Sequence, residues 1–193
     1  STNKAQLHLM EKMDFHCETR LKNDRGEGID TLYFVKEITG KGIRAYGYTI
    51  GNGKCGIRNT ITDVPGVKVG HYTVRKGKNQ TGVTVIIPCD GFVYERKPLA
   101  AVYALNGFGK TQGTVQIEEL GVLETPIALT NTLNVGKAAD GLVTFTEKEC
   151  RKNGKELVSV NPVVGETNDS RINQITERVI EAEDVLFAIE HAE

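Results

Sequence analysis

Tryptophan is absent from this 193-residue chain, methionine occurs twice, and aromatic residues make up only 6% of it. So thin an aromatic complement argues against a stacking platform for nucleic-acid bases. A dominant charge is missing as well: 24 Lys and Arg face 25 Asp and Glu, for a formal net charge of −1, and no basic run stands out. Neither nucleic acid nor an anionic bilayer would meet a complementary surface here. Apolar runs such as Val83–Pro88 are far shorter than the ~20 residues of a membrane-spanning helix. The first residues carry no secretory pattern. The four cysteines (Cys17, Cys55, Cys89 and Cys150) are scattered, with no CxxC pair and no histidine at ligand spacing. They read as free thiols in a reducing compartment rather than a disulfide frame or a zinc site. The expectation is a cytoplasmic protein with no metal and no cofactor, large enough for one core.

What is present changes character near residue 42. Residues 1–42 are polar and charge-rich, with a turn at Lys22–Gly28 and one strand-like run at Thr31–Ile38. The chain opens on Ser, so Met10 or Met13 lies nearer a natural start and residues 1–42 read as an extension or leader. An amino-terminal Ser can itself be a nucleophile with its own amine as base, but STNKAQ is too polar to lead into a buried strand.

From Ile43 onward, strand and helix signals mix without repeats. Val67–Val74 and Thr81–Pro88 are β-rich and joined by a turn at Arg75–Gln80. Leu99–Leu105 is a third strand candidate, and Thr114–Leu120 is a short helix with Gly121 as its C-cap. Pro126–Leu129 is a strand running into a polar corner at Thr130–Asn134. From Val135 to about Cys150, Ala138, Ala139, Leu142, Val143 and Phe145 recur at helical spacing. Leu157–Val164 reads as a strand breaking at Gly165, and Ala182–Ala192 as a helix with Val185, Leu186 and Ile189 on one face. The pattern implies an α/β (α+β) layer architecture with helices packed on sheet.

Four features could carry chemistry. GFGKT (Gly107–Thr111) imitates a phosphate loop, but Ala104 occupies the place of the first glycine, so a Gly-rich corner is the better reading. The Thr130–Gly136 corner offers Asn131 and Thr132, which can cap a helix, face a developing negative charge, or do both. Glu166, Thr167, Asn168 and Asp169 follow Gly165; spacing alone favours a solvated acidic turn, although a carboxylate at a strand end also suits a cationic amine. His71 reads as a structural hydrogen-bonding residue. No Ser sits in a GxSxG elbow and no Cys/His pair has a usable signature.

Five blocks in order, ITDVPGVKVGH (Ile61–His71), QTGVT (Gln80–Thr84), LNGFGKTQG (Leu105–Gly113), ETPIALTNTLNVG (Glu124–Gly136) and PVVGETND (Pro162–Asp169), resemble the L-aminopeptidase/D-amidase/D-esterase (DmpA-like) family, which includes the β-peptidyl aminopeptidases. The resemblance runs from about Ile43 to the end and implies an αββα sandwich, of which residues 43–193 are the N-terminal part. It implies a precursor that cuts itself once, exposing a Ser or Thr nucleophile at the start of a second subunit. It further implies short peptide, amide or ester substrates with a free amino terminus, no cofactor, and a homo-oligomer. By the same resemblance Glu166 lies near the substrate amine, Asn131 and Thr132 border the pocket, and Asn168 stands where Tyr or Leu is common beside the acyl group. No catalytic nucleophile falls within this chain, and the partner is then the second subunit of the same precursor. An ornithine-acetyltransferase-like acyltransferase and a non-catalytic truncated homologue are the alternatives.

Overall fold

A computed structural model describes the backbone of His16–Leu21 and Thr31–Val35, and residues 46–105 and 107–193 in full. The chain divides into two compact units, Ser1–Lys54 and Cys55–Glu193. In the first, β1 (His16–Leu21) and β2 (Thr31–Val35) pair antiparallel, with a bulge between Cys17 and Thr19. The run expected over Thr31–Ile38 is thus a strand as far as Val35. Its partner β1 gave no recognisable alternation. Ser1, Met10, Met13, the Lys22–Gly28 turn and residues 36–38 lie outside the described residues.

The second unit is built on a four-stranded sheet in the order β3-β4-β5-β6. Strands β3 (Lys68–Lys76) and β4 (Asn79–Ile87) form a hairpin, Lys76 opposite Asn79. The turn anticipated over six residues is only Gly77-Lys78, where Gly77 at φ +57 supplies the positive φ of a tight hairpin. Strand β5 (Ile127–Asn131) pairs antiparallel with β4 and parallel with β6 (Val163–Thr167). The parallel pairing requires a crossover, which includes α3 (Val135–Lys152), after α1 (Val93–Arg96) and α2 (Thr114–Leu120); α4 (Ala182–Glu190) follows β6.

Alternation places Val83, Val85, Ala128 and Val164 on one sheet face, against Ala138, Ala139 and Leu142 of α3 and Val185, Ala188 and Ile189 of α4. Leu142 and Val185 are wholly buried, each worth about 1.5–3 kcal/mol of transfer free energy. The α/β class expected from the sequence is the one found. This unit is one sheet with α3 and α4 on one face and α1 and α2 contributing to a cluster on the other; no second sheet of this size occurs among the described residues.

Two expected elements are corrected. Leu99–Leu105 is not a strand: only Leu99 pairs, in an isolated bridge to Val122, and Tyr103 and Leu105 stand exposed. A run of apolar residues makes a strand only where an edge can pair with it, and among the described residues the bridge beside β6 is made by Gln112 with Val164. Strand β6 begins six residues later than expected and runs through Gly165 instead of ending there. Gly165 is not a turn glycine; a Cβ at that position would lie 2.8 Å from Leu129 Cδ2. It permits close packing on β5 and leaves Glu166 and Thr167 inside the strand. Helices α2 and α3 follow expectation, with Gly121 at φ +67 capping α2 and Gly154 at φ +68 just beyond α3.

On the opposite sheet face Val93, Ile117, Leu123 and Val163 form a second cluster. Its edge is pinned by Glu124, 9% exposed, whose carboxylate accepts from Lys97 Nζ (2.8 Å) and from Asn161 N and Nδ2 (both 3.0 Å). Burial pushes this carboxyl up, yet the Lys97 ammonium and the Asn161 N–H groups outweigh it and hold the pKa below the usual carboxylate value. A depressed folded pKa contributes stability that is complete above the unfolded value and is lost as pH falls through the folded one. Glu124→Gln is therefore expected to lower stability by about 1–3 kcal/mol at neutral pH and to flatten the acid limb of the stability profile. Urea midpoints across the acid range measure both; an unchanged acid limb would remove Glu124 as its source.

Candidate functional site

Where α3 and α4 cover one sheet face and the Val93–Leu123 cluster covers one end of the other, a part of that second face remains open. Thr73, Thr84, Leu129 and Gly165 lie on it by alternation, and they line a cleft of about 450 Å3 that extends to the carboxyl ends of β5 and β6. Leu129 is 43% exposed at its floor. Asn131, Glu166 and Asp169 also line it, and no Lys, Arg or His does. The cleft is thus acidic, a composition that favours a cation over an anion.

Glu166 occupies the penultimate place of β6, opposite Thr130 of β5, and is half-buried. Its Oε2 accepts a hydrogen bond from Thr132 Oγ1. Thr132 opens a single 3-10 turn, Thr132–Asn134, which leads directly into α3. That turn is capped by Asn131, whose Oδ1 accepts from Leu133 N at 3.2 Å. The corner expected at Thr130–Asn134 is therefore shorter than anticipated, since Thr130 and Asn131 end the strand. Its capping role is carried by Asn131. Asn131 is almost wholly buried, and its Nδ2 donates to Thr81 Oγ1 at 2.8 Å.

Thr81 in turn donates to Asp169 Oδ2 at 2.6 Å, and Asn173 Nδ2 donates to Asp169 Oδ1 at 3.1 Å. Thr81 entered the sequence reading only as part of a strand and of the QTGVT block, Asp169 only as part of an acidic turn and of the PVVGETND block, and Asn173 carried no role of its own. The signal for the Asp169–Asn173 pair was its four-residue spacing, whereas nothing local connects Thr81 to Asp169. Asn168, next to Asp169, is exposed, and its Oδ1 accepts from Ser170 N at 3.0 Å in an Asx turn; it is not among the cleft-lining residues. The fold thus brings Glu166, Thr132 and Asn131 into one hydrogen-bonded group and leaves Asn168 on the adjoining loop.

The other candidates resolve simply. His71 Nδ1 meets Thr84 Oγ1 at 2.8 Å, a directly opposed pair across β3 and β4. Lys110 Nζ lies 3.8 Å from the centroid of the exposed Phe108 ring, and Gly113 at φ +88 serves as the N-cap of α2. Cys55, Cys89 and Cys150 are free thiols. Among the described residues no group of three or more His, Cys, Asp or Glu could hold a metal ion, and no helix is long and apolar enough to cross a membrane.

Comparison with known proteins follows the same segment. Two β-peptidyl aminopeptidases match 72% of this chain: that of Sphingosinicella microcystinivorans at 35% identity over 150 residues, and that of Sphingosinicella xenopeptidilytica at 34% over 155. The matched segments are only 36% and 37% of those proteins, so the chain spans little more than a third of their length. Among solved structures, a Burkholderia sp. β-aminopeptidase superposes with a TM-score of 0.70 at 42% identity, over 78% of this chain and 43% of that one. The L-aminopeptidase D-Ala-esterase/amidase of Ochrobactrum anthropi, described as a prototype for the serine aminopeptidases and a new variant among the Ntn hydrolase fold, gives 0.66 at 31%, over 75% of this chain and 42% of that one. A Pyrococcus horikoshii OT3 protein gives 0.72 at 45%, over 78% and 45%. The sequence profile of peptidase family S58 matches residues 59–193, and the chain belongs to that family.

Proposed function

We propose that the protein containing this chain is a serine aminopeptidase of the self-processing, N-terminal-nucleophile type, which releases amino-terminal residues from short peptides, amides or esters. The observation that carries this reading is the acidic cleft, with Glu166 at its end and no cation in its lining. Such a site suits the ammonium of a free amino terminus through charge-assisted hydrogen bonds. Membership of peptidase family S58 supplies the reaction class.

In this reading residues 1–42 are an extension and residues 43–193 are the first part of an αββα domain. The relatives are more than twice as long as the segments they share with this chain, which leaves room for a second subunit from the same precursor. That subunit begins with the nucleophilic Ser or Thr. Its hydroxyl attacks the carbonyl of the substrate's first residue, and the hydroxyl proton passes through a base to the departing amine or alcohol. Water then releases the acyl group. Glu166 holds the ammonium so that the carbonyl meets the hydroxyl in line, and orientation is its contribution. Free thiols at Cys55, Cys89 and Cys150 support a reducing, cytoplasmic setting, and we expect a homo-oligomer there.

Intact mass and turnover of the full-length protein test this together. The expected result is two polypeptides, the second starting with Ser or Thr, that hydrolyse aminoacyl p-nitroanilides. Acetyl transfer between amino acids without hydrolysis would replace the reading by an acyltransferase. A single uncut, inactive polypeptide would make the protein a non-catalytic homologue.

A further inference from the structure

The chain of hydrogen bonds behind Glu166 has a direction, and one residue sets it. Thr81 has a single hydroxyl proton, which goes to Asp169 Oδ2 at 2.6 Å. Its oxygen is then left to accept, and it accepts from Asn131 Nδ2 at 2.8 Å. With the NH2 end of Asn131 engaged there, the oxygen end takes Leu133 N–H at 3.2 Å and caps the Thr132–Asn134 turn. The capped turn presents Thr132 Oγ1 to Glu166 Oε2.

On its other side Asp169 is constrained in the same sense. Asn173 Oδ1 accepts from Gln80 N at 3.2 Å, which fixes the NH2 end of Asn173 towards Asp169 Oδ1 at 3.1 Å. Position 169 must therefore accept at both ends. An ionised carboxylate does this; an amide of the same shape cannot. With Asn at 169, an NH2 group faces either Asn173 Nδ2 or the Thr81 hydroxyl. In the first case two donors collide. In the second, Thr81 turns its proton towards Asn131 and that amide loses the orientation that caps the turn.

We propose that Asp169 is a positioning residue for substrate binding, acting through Thr81 and Asn131 to hold Thr132 against Glu166 and so fix the carboxylate that receives the substrate ammonium. This inference rests on the reading of Glu166 as the ammonium site. It concerns no contact between Asp169 and substrate: both carboxylate oxygens are already engaged within the chain.

The experiment uses the full-length, self-processed protein, an aminoacyl p-nitroanilide, and its desamino counterpart. Asp169→Asn and Thr81→Val are each expected to raise KM for the amine-bearing substrate by about tenfold, the net worth of one hydrogen bond. The kcat for that substrate and the kinetics of the desamino compound are expected to change little. Thr81→Ser, which restores the hydroxyl, returns KM to the parent value, and Asp169→Asn adds nothing in a Glu166→Gln background. An equal rise in KM for both substrates would overturn the proposal, as would Thr81→Ser behaving like Thr81→Val, because either result marks a general structural role. Should Glu166→Gln raise KM while Asp169→Asn does not, only this inference falls. Should Glu166→Gln leave KM unchanged, the ammonium reading falls and takes the inference with it.

Discussion

Glu166→Gln is expected to raise KM for amine-bearing substrates by about 10- to 100-fold, as the loss of a charge-assisted hydrogen bond in a partly enclosed site implies. The substitution preserves volume, and the Gln carbonyl can still accept from the Thr132 hydroxyl. The remaining NH2 group then stands where the carboxylate oxygen would meet the substrate, and a donor faces a cation. No other charged group in the cleft can take over, because Asp169 is already committed to Thr81 and Asn173. The effect is expected to fall on KM more than on kcat, since the ammonium interaction is made in the ground state and kept through acyl transfer. Steady-state kinetics on an aminoacyl p-nitroanilide measure it, and a KM within twofold or so of the parent would remove Glu166 from the site.

How much of this was legible beforehand depended on whether a signal was local. Helix α2 could be read because Gly121 both stops the apolar pattern and supplies the positive φ its C-cap needs. Helix α3 could be read because Ala138, Ala139 and Leu142 recur on a single face, which the fold buries against the sheet. The run at Leu99–Leu105 misled because a continuous apolar stretch reports hydrophobicity, not the presence of a neighbouring edge. Gly165 misled for a related reason. A glycine within a strand pattern marks either a turn or a close approach, and only the position of Leu129 decides between them.

The candidate site divides in the same way. Glu166, Asn131 and Thr132 were legible through blocks of residues whose order resembles a known family, and the fold brings these three together. Asn168 came from the same resemblance, yet its side chain is engaged in its own turn. The link between the supporting residues was silent, because Thr81 and Asp169 are 88 positions apart and nothing in either segment points to the other. A hydrogen-bond relay that crosses from a β-hairpin to a loop leaves no periodicity to find. Asn134 is silent for another reason: it is wholly buried, and neither polar atom of its side chain has a partner among the described residues. Seen as sequence it was one more capping residue in a polar corner.

Gly70→Ala is the other substitution for which a large effect is expected, this time on stability. Gly70 lies in β3 opposite Val85, and a Cβ built on it would fall 1.7 Å from the Ala188 carbonyl oxygen and 3.2 Å from Ala192 Cα. Both neighbours are backbone, so no side-chain rotation relieves the overlap; α4 as a whole must lift off the sheet. The end of α4 and the residues that follow it are held to β3 and the core in three ways that such a shift disturbs. Val69 and Glu193 exchange backbone hydrogen bonds of 3.1 and 3.3 Å, Phe187 packs edge-on against Tyr72 at 5.5 Å, and Ala188 and Ile189 are buried in the main core. Overpacking of this kind costs about 3 kcal/mol or more, and for a chain of this size that lowers Tm by about 6–12 °C. Gly136→Ala is the matched control: nothing lies within 4 Å of its Cβ position in the first turn of α3, and the gain in helix propensity is about 0.5–1 kcal/mol. The same chemical change is therefore expected to act with opposite sign at the two glycines. Thermal unfolding of both variants decides it, and a Gly70→Ala protein as stable as its parent would mean that α4 does not lie on β3 as closely as described.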